Sequence, residues 1–178
     1  VGFALKMPQD SLFVRTMLPK TTLKNGVIDL KEASYYVKSF GIDNAELAYG
    51  PKEELFLQQI GLQLDSIYYC GKDIRANIEE FVLKERSGLE LVSTEGRIVS
   101  DSVLIEIPKF TMKTTASSLD LQTKIGWDVL EMKKTGVLSA RINAEIGKGD
   151  VAKILGGRDT LFLQTYPNKP FVFRADAE

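Results

Sequence analysis

Asp73-Ile74-Arg75-Ala76-Asn77-Ile78-Glu79-Glu80-Phe81-Val82-Leu83-Lys84-Glu85-Arg86 is the stretch on which the fold turns. Read alone, it has every mark of an amphipathic helix. Asp73 suits the N-cap, where a carboxylate oxygen accepts a free backbone N–H. Ile74, Ile78, Phe81 and Val82 recur at spacings of three and four and form one stripe. Lys84 and Arg86 sit near the negative end of the helix dipole, and Gly88 follows as terminator.

The residues before it extend the same reading. Gly50-Pro51 opens a second helical candidate, with Glu53 and Glu54 in its first turn. Phe56, Ile60, Leu64 and Ile67 again fall at helical spacing. A rival reading exists, because Ile60, Leu62 and Leu64 also alternate around Gly61. Asp29 is placed to cap a helix running to Phe40, with Gly41 as its stop. Residues 29–88 are therefore expected to be mostly helical.

Both flanks read as strand. Ser11 to Leu18 is β-prone, and Asn25-Gly26 suits a type I′ turn joining two short strands within residues 1–30. Beyond residue 88, Leu89–Ser93 and Arg97–Ile107 flank Glu95-Gly96 as a hairpin, and Phe110–Thr115 alternates apolar with polar residues. Val129–Lys133 and Val137–Ile146 flank Thr135-Gly136. Asp150–Leu155 reads as a short helix. Thr160–Tyr166 and Phe171–Arg174 read as a last strand pair. The expected class is α+β: one domain over residues 1–178, with a mainly antiparallel sheet or sandwich covered by two or three helices from the first half.

Composition narrows function. The 178 residues are 44% hydrophobic and 26% charged, which suits a folded chain rather than a disordered one. Histidine is absent. Catalysis by Ser-His-Asp or Cys-His is thereby excluded within one chain. Cys70 is the single cysteine, so Cys/His zinc sites and intrachain disulfides are excluded too. One cysteine and no Asn-x-Ser/Thr sequence suit an intracellular setting, or a virion if the source is viral.

No phosphate loop is present. Gly147-Lys148-Gly149-Asp150 precedes the short helix, but Ile142 stands where a P-loop needs glycine, and Gly149 follows the lysine. Glu53-Glu54 and Glu79-Glu80 diverge if helical, so neither pair converges on one atom. Trp127 is expected in a core, and Cys70 is expected to be an inert thiol.

Charge is uneven. Residues 1–107 carry 12 basic and 16 acidic residues, and residues 108–178 carry 11 and 8. This polarity, with Gly-rich turns, points to a non-enzymatic structural or assembly protein acting through self-association or a partner protein, a viral or phage particle component among them. No cofactor or metal is expected. Gly156, Gly157, Arg158, Lys133, Lys134 and Lys148 are the candidate contacts, since two glycines allow close approach and the cations suit carboxylate or phosphate. The alternatives are a module binding nucleic acid or an anionic membrane surface through a basic sheet face, a carboxylate enzyme with a divalent metal, and a small-ligand carrier with a pocket between sheet and helices.

Overall fold

The computed structural model describes residues 2–6, 13–17, 20–50, 55–132, 135–156 and 160–177. It overturns the α+β expectation. The protein is mainly β, and among the described residues its helices are short and confined to the second half. The strands are β1 (Gly2–Lys6), β2 (Phe13–Met17), β3 (Lys20–Asp29), β4 (Ser34–Tyr49), β5 (Leu55–Cys70), β6 (Asp73–Glu85), β7 (Glu90–Ser100), β8 (Leu104–Thr114), β9 (Ser118–Gly126), β10 (Leu138–Ile146) and β11 (Phe171–Ala177). The helices are α1 (Trp127–Leu130), α2 (Lys148–Leu155) and α3 (Thr160–Thr165).

From β4 onward each strand pairs antiparallel with the next in sequence. The outer edge of β4 is shared. β3 covers Ser34 to Asp43, and β2, itself paired with β1, covers Glu46 to Tyr49. The product is one long meander, and among the described residues no layer of helices covers or forms within residues 29–88.

The decisive stretch is β6, and its apparent helical stripe has a plain cause. Leu64 faces Ile78 and Leu62 faces Phe81, so β6 spends three residues where β5 spends two. The extra residue, Glu79, is a β-bulge. Ile74, Ala76 and Ile78 alternate, the bulge inserts one residue, and Phe81 and Leu83 resume on the same face. A strand with one bulge thus shows spacings of four and three, as a helix does. β5 repeats the device: Leu62 and Leu64 alternate, Ser66 takes φ +53°, and Ile67 and Tyr69 follow. β8 does so at Pro108, with a register shift between Ile107 and Phe110.

Other expectations fail for local reasons. Asp29 does accept two backbone amides, from Lys31 and Glu32, but these close the turn into β4 and start no helix. Asn25 has φ +50° inside β3, whose register on β4 continues unshifted from Lys24 to Gly26, so no hairpin turn forms there. Glu95-Gly96 lies within β7, and Thr160–Thr165 is helical. Val129 and Leu130 belong to α1. The short helix expected at Asp150–Leu155 and the strand at Phe171–Arg174 are present, as α2 and β11.

Residues directly opposite across an antiparallel pair share a face. Leu23, Phe40, Leu64, Ile78 and Gly96 are opposite one another in turn, and the row continues through Phe110, Leu121, Ile142 and Ala175. One apolar row therefore runs from β3 to β11. The adjoining row on the other face is Lys24, Ser39, Asp65, Asn77, Arg97 and Lys109. On the far side of the apolar row comes Glu95, Thr111, Asp120, Asn143 and Arg174, again on the other face. The sheet is two-faced: one side apolar, the other charged. Gly96 fits this order, because a Cβ there would stand 2.8 Å from the Phe110 ring that covers it.

Among the described residues no second layer packs on the apolar face, and its central residues, from Phe40 to Ile142, are half-buried. The buried apolar residues among those described are Ala45 (3% exposed) and Ala48 (1%), and no large side chain is fully buried. The accessible surface is 12089 Å². A compact monomer of 19.8 kDa is expected to expose roughly 8,600 Å². An open, single-layer sheet contributes to this excess of roughly 3,500 Å². Among the described residues no helix is long and apolar enough to cross a membrane.

Candidate functional site

The apolar face is the largest feature of the molecule, and α2 stands at one end of it. Met112, Leu119, Ala144 and Phe173 are opposite one another on this face, one row beyond Leu121. α2 follows β10 and leaves a cavity of about 350 Å³ lined by Leu89, Met112, Leu119, Ala144, Ile146 and Ile154, with Thr114, Ser117 and Asp150 at its side. That volume falls in the range of small-ligand pockets, about 300–1,000 Å³.

Asp150 holds α2 in place. It is buried, at 3% exposure. Its carboxylate accepts the hydroxyl of Ser117 at 2.6 Å, that of Thr115 at 3.2 Å, and that of Thr114. Lys153, one turn along α2, lies 3.8 Å from the carboxylate and donates to Thr115 Oγ1 at 2.9 Å. Gly147 N–H donates to Ser117 Oγ at 3.0 Å. The β8–β9 turn is thus sewn to the start of α2. Burial pushes the Asp150 carboxyl up, but the hydroxyls of Ser117, Thr114 and Thr115, with Lys153, outweigh it and hold the carboxyl below the usual range.

The turn also fits by shape. A Cβ on Gly147 would stand 2.1 Å from the Ala116 carbonyl oxygen. That neighbour is backbone and cannot rotate away. Gly147→Ala is therefore expected to cost about 1–3 kcal/mol of stability, read by urea unfolding. A cost near zero would mean that the turn and α2 separate freely.

The opposite end of the sheet carries a second clasp. Trp127 donates from Nε1 to the Asp101 carbonyl at 2.8 Å and from its backbone to Val103 O at 3.0 Å. Lys72 lies 4.7 Å from the centre of the Trp127 ring and pairs with Glu131 at 3.1 Å. Trp127 thus ties α1 to the β7–β8 turn rather than filling a core. The backbone amides of Leu104 and Val103 hold the Asp101 carboxyl below its usual range, against a smaller opposing effect of desolvation.

No family model matches this chain, and comparison with curated proteins and with solved structures finds no match.

The contacts expected from sequence do not converge. Lys133, Lys134, Gly157 and Arg158 lie outside the described residues, as do Glu53 and Glu54. Lys148 opens α2 and Gly156, at φ +55°, closes it. They stand about 12 Å apart along the helix. The helix start seen at Gly147-Lys148-Gly149-Asp150 is real, but Ser117 takes the Gly147 amide that an anion would need. Lysines and arginines on the charged face are interleaved with acids: Lys124 pairs with Glu106 at 3.0 Å and Arg141 with Asp176 at 3.2 Å. Among the described residues no three of His, Cys, Asp and Glu group as metal ligands do.

Sequence reasoning missed the Asp150 cluster. Its signal was the run Thr114-Thr115-Ala116-Ser117-Ser118 between two alternating strands, a polar turn with hydroxyls to spare. What those hydroxyls would meet, 33 to 36 residues later, was not visible locally.

Proposed function

We propose that this chain is a non-enzymatic binding scaffold whose apolar sheet face holds hydrocarbon chains, such as those of a fatty acid or lipid. The observation that carries this reading is the unbroken apolar row from β3 to β11, on which no second layer packs among the described residues. Three hydroxyls on that face are tied within the chain. Ser100 donates to Leu104 O, Thr123 to Ser139 O, and Thr114 to Asp150. Protein–protein interfaces carry about one hydrogen bond per 100–200 Å², and this face offers little to make them. A hydrocarbon chain asks for none. The absence of histidine and the scattered carboxylates support a role without catalysis.

The test uses protein stripped of co-purifying lipid and a long-chain fatty acid bearing an environment-sensitive fluorophore. Saturable binding, displaced by unlabelled fatty acid, is the expected result. Signal that neither saturates nor is displaced sinks the reading.

A second reading is self-association, in which another copy covers the exposed surface. It is favoured by the excess area. Roughly 3,500 Å² is several times the ~800 Å² that each partner contributes to a standard interface. Molar mass by light scattering over a concentration series tests it, and a constant monomer mass ends it. The basic-face reading gains little, because Lys124 and Arg141 on that face are paired with Glu106 and Asp176.

A further inference from the structure

The sheet does not end in a neutral way. Among the described residues no strand pairs with the outer edge of β11, so a row of its backbone N–H and C=O groups is open. Such edges are usually blunted by lysine, proline or a bulge. β11 has no lysine, proline or bulge, and its two charged side chains, Arg174 and Asp176, are of opposite sign. It reads Phe171-Val172-Phe173-Arg174-Ala175-Asp176-Ala177, it follows one continuous register on β10, and Phe171, Val172 and Phe173 are each about half exposed.

We infer that β11 is a two-fold interface, at which β11 of a second copy adds antiparallel to this edge. This rests on the self-association reading and gives it a site. The sequence of β11 is complementary to itself when Ala175 lies at the two-fold axis. Arg174 then faces Asp176 of the second copy, twice over, and shares a carboxylate that already pairs with Arg141 of its own chain at 3.2 Å. Phe173 faces Ala177 of the second copy, large against small. A register one residue away would set Arg174 against its own copy, like charge on like. Arg174 is exposed and sits opposite Asn143 within its own chain, so its charge is not committed there. The chosen register also keeps both faces continuous. Phe173, Ala175 and Ala177 extend the apolar face into the second copy, and the charged pairs lie on the other side.

The test is site-directed cross-linking with a short bismaleimide, in a Cys70→Ser background. Ala175→Cys is expected to yield a covalent dimer, and Lys24→Cys, on the opposite edge, is not. Adding Arg174→Glu to Ala175→Cys is expected to lower the dimer yield about tenfold, with the circular dichroism unchanged. Equal cross-linking at residues 24 and 175, or no effect of Arg174→Glu, overturns the interface. Cross-links only between Ala175→Cys and Lys24→Cys chains in a mixture would mean head-to-tail joining and overturn the two-fold. Mass that rises with concentration without an Ala175→Cys dimer removes this edge and leaves self-association standing. A constant monomer mass removes both. Fatty-acid binding is read separately and bears on neither.

Discussion

Asp150→Ala is expected to lower the free energy of unfolding by about 3 kcal/mol. The substitution removes one acceptor and strands several donors. Thr114, Thr115 and Ser117 all give their hydroxyl protons to this carboxylate, and Lys153 lies beside it. Thr115 is exposed and Thr114 also reaches Ser117 O at 3.2 Å, but the half-buried Ser117 hydroxyl is left without its acceptor and costs much of its desolvation, which is why the loss exceeds that of one ordinary hydrogen bond. Urea unfolding measures it. The effect should be local in origin: with α2 untied from the β8–β9 turn, amide exchange in residues 148–155 should rise far more than in β5 or β6. A loss below ~1 kcal/mol would show that α2 is held by its apolar side alone. The pH dependence has a fixed sign. The Asp150 carboxyl titrates lower when folded than when unfolded. Its contribution is therefore full above the ordinary carboxylate range near pH 4 and is lost as the pH falls through the lower folded-state value. The gap between the protein and its Asp150→Asn variant should be widest near neutrality and should close in acid.

Leu121→Asp is expected to weaken fatty-acid binding at least tenfold, about 1.4 kcal/mol or more. Leu121 is half-buried in the apolar row between Phe110 and Ile142. A carboxylate there must lose water when a hydrocarbon chain covers it, and a chain offers nothing in return. Gln122 is the matched control. It is the next residue, exposed on the charged face, opposite Arg141. Gln122→Asp adds the same charge to the same strand and should leave binding unchanged. Leu121→Ala keeps the face apolar and should cost less than Leu121→Asp. Equal losses at residues 121 and 122 would take the apolar face out of the mechanism, since the two side chains point to opposite sides of one strand.

Much of the second half was legible. The alternation in Phe110 to Thr115 and from Val137 to Ile146 comes from strands with one apolar and one polar face, and no bulge interrupts β10. α2 was legible because Gly147 to Asp150 is a helix start and Gly156 a left-handed stop. The first half was misread for one physical reason. A bulge adds a residue to a period of two and makes a spacing of three. Ile74-Ile78-Phe81 in β6 and Leu64-Ile67 in β5 then imitate a helix of period 3.6. The capping residues could not arbitrate, because Asp29 closes a strand turn with the same two amide bonds it would give a helix.

By itself, then, the sequence settled what chemistry is missing and which residues are apolar. A chain without histidine and with one thiol has no histidine-based or thiol–histidine catalysis of its own, whatever its fold. It also set the apolar spacing, period two with slips. Only tertiary structure decided that the slips are bulges, because a bulge exists relative to a neighbouring strand: Glu79 is extra only when Leu62 and Leu64 are opposite. Tertiary structure alone also collected Leu23, Leu64, Phe110, Leu121 and Ile142 on one face, and brought Asp150 to Thr114, Thr115 and Ser117. Those contacts join residues tens of positions apart, and no local window of sequence contains both partners.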